Sequence, residues 1–442
     1  MVAAAAMADE PVAELGLEVS GSEKVTWGVD LDADATTGRT GFRNEAEAKA
    51  VVTFAKGGSK TTEEGDGVWA ELAVKLDGDI KFKIEGDGSD AWVKDGGKMV
   101  LDVAKLHIGD LYIGIKSGDT EVGNLNLSNA LKSDKFGVSN KGPNATQGLV
   151  AGYGNDLFGI DVDFRSLPSG DDYYTDQYAV AAQAELKDLS GFGAKAGVSF
   201  GFDPADFGNK QLGVFGSASY KLSLSDTNYV KASAGVGFEK IKDVDGLSNG
   251  EVAASVLYAW GDEADENGGV YYLDNDEAKK RTPGVGVAVY VPLVKHTYID
   301  IVPAFYSGDI IENLTASVLG EIIIPVDNAA VDTGFAVAGG VSYKLAVGDA
   351  ITVTPQAGFR FANGDYIQGK VSSVFFKENK DNSGLIDTGF AKFNDALLNV
   401  KVGAEVGGLI PNTTLGAYYQ SRNLTQKENK AGTFNVFAKI GF

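Results

Sequence analysis

The feature that most constrains this chain is a period-two alternation of apolar and polar residues, which runs from about residue 24 to the end. Val25, Trp27, Val29 and Leu31 alternate with Thr26, Gly28 and Asp30. Ala46, Ala48, Ala50, Val52 and Phe54 alternate with Glu47, Lys49, Val51 and Thr53. Ala70, Leu72, Val74 and Leu76 alternate with Glu71, Ala73 and Lys75, and Ile80, Phe82 and Ile84 with Lys81 and Lys83. Successive side chains of a strand point to opposite faces, so such segments are strands with one apolar and one polar face. A soluble sheet turns the apolar face to a core. A membrane barrel turns it to lipid and lines its lumen with the polar face. Many of the segments run about 9 to 11 residues, the length of a tilted membrane strand rather than the usual 5 or 6. Their polar faces are repeatedly charged, which suits a wet lumen. No run approaches the roughly 20 apolar residues of a spanning helix, and open sheet edges cannot face lipid. The expected fold is all-β: a closed antiparallel transmembrane β-barrel of about 20 strands (range roughly 16 to 22), with long outer loops and short periplasmic turns.

The second half keeps the pattern. Strands are expected to start near Gly193, Leu212, Tyr229, Glu251, Gly284, Thr297, Leu314, Gly334, Ile351, Ala396 and Thr414. Polar clusters at 225–228, Gly308-Asp309 and Gly348-Asp349 read as turns. Ser219-Tyr220-Lys221-Leu222 and Ser342-Tyr343-Lys344-Leu345 each lead through a turn into a second strand, either as duplicated hairpins or as convergent ones. Tyrosines at such strand ends suit an aromatic girdle. Four polar, weakly patterned stretches, Ser117 to Gln147, Arg165 to Gln177, Gly261 to Pro283 and Asn363 to Asn394, read as long loops on the outer side. Leu125 to Leu131 carries a weak helical signal. Strand parity does not resolve, because short turns near Val294, Asp327 and Asp349 fall on what should be opposite sides.

At 44% hydrophobic residues the chain is too apolar for a disordered protein. Its 58 glycines against 10 prolines have no period of three and sit within and at the ends of alternating segments. The net charge of -22 excludes a basic nucleic-acid face. It suits solvated loops, or a pore that favours cations. Residues 1–22 are expected to hold a residual export signal and an N-terminal tail, since Ala6-Met7-Ala8 has the small-x-small end of a signal peptide; a plain alanine-rich tail is the alternative. Residues 23–442 are expected to form one outer-membrane barrel.

No enzyme motif stands out. Cysteine is absent, which removes disulfides and thiolate metal sites, and the two histidines, His107 and His296, make a histidine zinc cage improbable. Neither has a nearby Gly-x-Ser-x-Gly nucleophile motif. Gly235-Val-Gly237 and Gly284-Val-Gly286 lack the helix that a phosphate loop needs. The acidic residues between Asp262 and Glu277 lack the spacing of a calcium loop and read as solvated. No catalytic, cofactor or metal residue is assigned, and no cofactor is expected. The lumen charges expected to set selectivity are Glu47, Lys49, Glu71, Lys75, Lys81 and Lys83.

The most specific local signal is the last strand, where Phe434, Val436, Ala438, Ile440 and the terminal Phe442 share one face. A terminal strand of this kind resembles the insertion signal that the barrel-assembly machinery reads as an edge strand. Further blocks resemble the treponemal major outer sheath protein family, with its related treponemal repeat proteins. They are Val25-Thr26-Trp27-Gly28-Val29, Thr40-Gly41-Phe42-Arg43-Asn44, Gly67-Val68-Trp69-Ala70-Glu71-Leu72 and Lys105 to Ile115. The clear matches lie in the first 120 residues and at the very end, and the resemblance implies a family-like N-terminal region of about 23–190 and a C-terminal region of about 191–442.

The resemblance implies a spirochaete outer-membrane porin, embedded in outer-membrane lipid and passing small solutes or ions. It also implies a homo-oligomer, with a trimer the usual proposal, and in some members adhesion to host matrix proteins. A water-filled diffusion channel is the leading expectation. A surface adhesin that uses long loops, with the barrel as anchor, is the alternative, and a soluble secreted all-β protein is a third reading.

Overall fold

The fold is taken from a computed structural model, which describes residues 15–32, 40–56, 68–83, 93–94, 98–117, 147–167, 177–202, 210–241, 249–261, 282–293, 298–308, 310–326, 333–363, 397–425, 427 and 431–441. Residues 1–14 of the expected tail, the helical signal at 125–131, His296, the acidic residues from 262 to 277 and Phe442 lie outside the described residues; residues 15–22 of that tail are strand, which corrects the expected start of the barrel at 23.

Every described element is a strand, and all pairings are antiparallel. The first are β1 (Leu15–Asp30), β2 (Thr40–Lys56), β3 (Val68–Lys83), the two-residue β4 (Val93–Lys94), β5 (Lys98–Ile108), β6 (Leu111–Ser117), β7 (Gln147–Gly154) and β8 (Phe158–Leu167). Next come β9 (Gln177–Leu189), β10 (Phe192–Phe202), β11 (Lys210–Ser223), β12 (Asn228–Ile241), β13 (Asn249–Trp260), β14 (Gly284–Pro292) and β15 (Tyr298–Tyr306). The last are β16 (Leu314–Pro325), β17 (Gly334–Tyr343), β18 (Leu345–Val347), β19 (Ile351–Asn363), β20 (Leu397–Gly407), β21 (Thr413–Gln420) and β22 (Thr433–Gly441). The strand starts expected from Gly193 to Thr414 fall within two residues of these bounds. The alternation at 70–76 and that at 80–84, as far as Lys83, belong to the single long strand β3, which keeps one phase through Gly78.

Each wall strand pairs with its neighbours in the chain, and β1 pairs with both β2 and β22. The sheet is therefore a closed ring. Of the 22 described strands, β4 only flanks β3, and β18 prolongs β17 along β19, which leaves 20 around the wall. Closure leaves no sheet edge, the condition for a strand protein in lipid.

One face of the wall carries large apolar side chains that stand open to the surroundings. Val25, Leu106, Ile113, Leu149, Val162, Val198, Val214, Val256, Val287, Val318, Ile322, Val402 and Val436 are 39–50% exposed. The opposite face carries Thr26, Asp163, Gln183, Ser255, Asp300, Glu321, Arg360 and Asn435, all under 6% exposed. This is the inversion of a soluble protein, with its greasy side outward. Tyr220 and Tyr343 stand outward near strand ends, at 51% and 41% exposure, as a girdle requires.

Strand direction resolves the parity. The termini and the tight turns at 109–110, 155–157, 190–191, 224–227, 348–350 and 408–412 share one rim. The strands flanking 293–297 end at the opposite rim, as do those flanking 118–146, 168–176 and 364–396. The strands flanking 261–283 end at the rim of the tight turns, which corrects the expectation that all four long stretches share a side. Ser190 and Gly191 show how a tight turn forms. Both have positive φ (54° and 88°), which twists the β9–β10 hairpin with its strands. The Asp188 carboxylate accepts the Gly191 N–H at 2.6 Å. A Cβ at Gly191 would stand 2.2 Å from the Lys221 carbonyl oxygen.

Candidate functional site: the inner wall

The inner face differs around the ring. On β10–β12, Lys195, Ser217, Ser219, Lys221 and Lys231 are half-buried. Lys195 stands 4.0 Å from Glu185, with the two side chains 31% and 38% exposed. Lys221 and Lys231 are directly opposed across β11 and β12, as are Lys24 and Lys439 across the β1–β22 seam. Opposed like charges are unfavourable, and the aromatic rings nearby offset part of that. Lys221 lies over Tyr229 (4.2 Å to the centroid), Lys24 over Phe437 (4.7 Å), Lys401 over Tyr418 (4.3 Å) and Lys105 over Tyr112 (4.6 Å). Each contact contributes about 0.5–1 kcal/mol at a wet site.

On β13–β17 the inner face is largely closed to solvent, and the closure reaches Arg360 of β19 and Asn399 of β20. Leu257, Ala288, Tyr290, Ile323, Ala338, Arg360 and Asn399 are at most 2% exposed, and several are apolar. This corrects the expectation that the polar face lines the lumen everywhere. On β14 (GVGVAVYVP) and β17 (GFAVAGGVSY) both faces are apolar or small, so alternation alone cannot say which is inner.

A single row of directly opposed inner positions crosses eight strands: Trp69, His107, Tyr112, Gly152, Asp161, Gln183, Gly197 and Phe215. The Trp69 and His107 rings stack in parallel, with centroids 3.6 Å apart and planes 3° apart. Tyr112 leans over Gly152, where a Cβ would lie 2.5 Å from its ring, and its hydroxyl donates to Asp161. Gln183 donates to the other Asp161 oxygen at 2.8 Å. Phe215 leans over Gly197 in the same manner. Glycine opposite an aromatic lets the ring lie flat on the wall instead of standing into the lumen.

The ring is clasped at the far rim. Arg422, in the β21–β22 connection, donates to Asp30 at 2.6 Å and to Asp32 at 3.0 Å. Asp32 in turn accepts the N–H groups of Ala431 and Gly432 at 2.8 and 2.7 Å.

Register gives the places of the six expected lumen charges. Glu47 is opposed to Ser22 and Lys49 to Ser20, on the parity of Thr26. Lys75 is opposed to Lys49, Lys81 to Arg43, Lys83 to Gly41 and Glu71 to Thr53, so all six share one face of β2 and β3. Their side chains lie outside the described residues. Phe434, Val436 and Ile440 stand outward at 39%, 41% and 48% exposure, with Ala438 on the same parity. His107 is a stacked inner-wall ring, and no cluster of metal-ligating side chains occurs among the described residues. The sequence reading missed Tyr112, Asp161, Gln183 and Arg422. Asp161 was signalled by the strict alternation of Asp161, Asp163 and Arg165 with Ile160, Val162 and Phe164 on β8.

No family model matches the chain. Major surface protein MspTL of Treponema lecithinolyticum is 25% identical over 98% of this chain and 94% of its own length. Major outer membrane protein MspA of Treponema maltophilum is 31% identical over 59% of this chain, which spans about half (51%) of that relative's length. Among solved structures, Pseudomonas aeruginosa OccD3 (OpdP) overlaps at a TM-score of 0.39 with 8% identity, covering 98% of this chain and 95% of its own. A Rhodopseudomonas blastica porin variant overlaps at 0.33 with 10% identity, over 97% and 100%. Those overlaps are loose, and the fold rests on the strand pairing itself. A closed antiparallel ring with an outward apolar belt defines an outer-membrane β-barrel. Its homologues are treponemal major surface proteins, so the likeness to the treponemal major outer sheath protein family holds in sequence along nearly the whole chain.

Proposed function

We propose that the chain is a porin: a water-filled diffusion channel for small hydrophilic solutes and ions, working in the outer membrane with its tight turns in the periplasm. The observation that carries this reading is a closed ring whose outer face is apolar and exposed while part of its inner face is charged and half-wetted. Residues 15–441 act as one pore-forming unit, since β1 begins at Leu15 and pairs with β2 from that residue on. The outward face of β22 is the part that the barrel-assembly machinery would read. Homo-oligomers, in the manner of trimers, would use a stretch of the apolar outer wall. Glu47, Lys49, Glu71, Lys75, Lys81 and Lys83 contribute to selectivity together with Lys105, Glu185, Lys195, Lys221 and Lys231. The net charge of -22 is not mirrored on the described inner wall, where lysines and carboxylates mingle. Selectivity should therefore be modest.

Single-channel recording on refolded protein in a planar bilayer tests this reading. Uniform current steps with a small reversal potential in a salt gradient are expected. Inserted, folded protein that gives no steps would overturn the channel and leave the barrel as an anchor.

A further inference from the structure

We infer that the inner wall at β11–β12 carries a subsite for a phosphoryl dianion, built from Lys221, Lys231, Ser219 and Ser233. The inference rests on the pore reading and goes beyond it, because it names a solute class that the lumen holds as well as passes. Lys221 is directly opposed to Lys231, and Ser219 to Ser233, on the same inner face. The four side chains therefore spring from a patch about 5 Å wide and about 7 Å tall. All four are half-buried, so each presents part of its surface to the lumen. Along β10–β12 the described charged side chains of this face are all lysines: Lys221, Lys231 and Lys195, the last opposed to Ser217 one inner position beyond Ser219. The Glu185 carboxylate of β9 meets Lys195 at 4.0 Å, two strands away from Lys221.

Directly opposed like charges are unfavourable. The Tyr229 ring offsets part of that cost, with the Lys221 ammonium 4.2 Å from its centroid. A dianion between the two ammonium groups turns the remaining repulsion into two attractions. The Ser219 and Ser233 hydroxyls, one inner position along, donate to further oxygens of the same group. Gly193, opposed to Ser219 from β10, leaves that hydroxyl uncovered, since a Cβ there would lie 3.2 Å from its oxygen. A phosphoryl group has two charges and several acceptor oxygens in a tetrahedral array, which matches two cations and two hydroxyls. A halide has one charge and no such array, and a carboxylate has one charge and two oxygens in a plane. The patch also borders the closed wall. On β13, Leu257 is opposed to Lys231 and Ser255 to Ser233, at 2% and 4% exposure. Charges beside a surface closed to water are screened less than charges in mid-lumen, so their pull on an anion is stronger. Lys221 lies close to the end of β11 and Lys231 close to the start of β12, which puts the subsite just inside the tight-turn mouth.

The test uses the refolded full-length barrel in chloride at constant ionic strength. The probe is inorganic phosphate at mildly alkaline pH, where it carries two charges, and nitrate is the singly charged comparison. Two readouts are taken: interruption of single-channel current, and heat of binding by titration calorimetry in detergent, which does not need conduction. Phosphate should interrupt the current in a concentration-dependent way and bind measurably, and nitrate should do neither. Lys231→Gln should weaken phosphate binding about tenfold or more, the scale of one charge-assisted bond. Ser233→Ala should weaken it about threefold. Lys401→Gln removes an inner-wall lysine on β20 and should leave phosphate binding unchanged. Heat-shifted gel migration of the three variants establishes that they still fold. Uninterrupted steps, together with no heat of binding, would overturn the subsite while leaving the channel intact. Equal weakening by Lys231→Gln and Lys401→Gln would also overturn it, because phosphate would then feel only the summed charge of the lumen. Binding of phosphate without current steps would sustain the subsite and overturn the channel.

Discussion

The β10–β12 wall and the β13–β19 wall share an outer face and differ on the inner one. Outside, Val198, Val214, Val256, Val287, Val318 and Phe359 are comparably exposed, at 39–50%. Inside, β10–β12 presents Lys195, Ser219, Lys221 and Lys231 to partial solvent, whereas β14–β19 presents Ala288, Ile323, Ala338 and Arg360 at 0%. Lipid imposes one rule on every strand, that the outward side chain be apolar. The inner face answers to what lies in the lumen beside it, and that differs around the ring. A uniform outer pattern can thus coexist with a wet wall and a closed one.

The sharpest way to break this comparison is to put a charge on each side of one strand. Ile323→Asp places a carboxylate where the wall is fully closed, so it should cost about 3–5 kcal/mol and abolish the compact, heat-sensitive gel form. Its neighbour Ile322 points outward at 40% exposure, and Ile322→Arg should cost up to about 2–4 kcal/mol in lipid vesicles, depending on depth. A reversed order in urea midpoints would mean that the inner face of β16 is open. A smaller loss is expected at the seam. Arg422→Ala removes two charge-assisted bonds at 2.6 and 3.0 Å and should lower stability by about 1–2 kcal/mol, read as an earlier thermal transition. The smallest effect belongs to the wet wall. Lys195→Gln disrupts a half-exposed pair at 4.0 Å, so stability should change by under about 1 kcal/mol while the reversal potential moves toward cations. A stability loss there as large as at Ile323 would erase the distinction between the walls.

Much of the fold was legible because lipid enforces alternation. Strand starts such as Gly284, Leu314, Gly334 and Ile351 were placed without offset, since apolar phase and turn clusters agree there. Parity was not legible, because loop length is only a correlate of side. The short turn after Pro292 and the long connection before Gly284 each depart from it, and only the pairing order reveals this. The inner row was hidden for another reason. Trp69, Tyr112, Asp161 and Gln183 lie far apart in the chain and meet only through register across several strands, a relation no local pattern encodes.

Closure of the ring is the claim on which everything else depends, and the cysteine-free chain allows it to be tested cleanly. Val25 and Ala438 are directly opposed across the β1–β22 seam. In the double variant Val25→Cys, Ala438→Cys, oxidation of the folded protein should give one disulfide within a single chain, seen by mass spectrometry as a peptide joining the two ends of the sequence. A disulfide that forms only between chains, or none at all in folded protein, would mean that the first and last strands do not meet and the barrel is not closed as described.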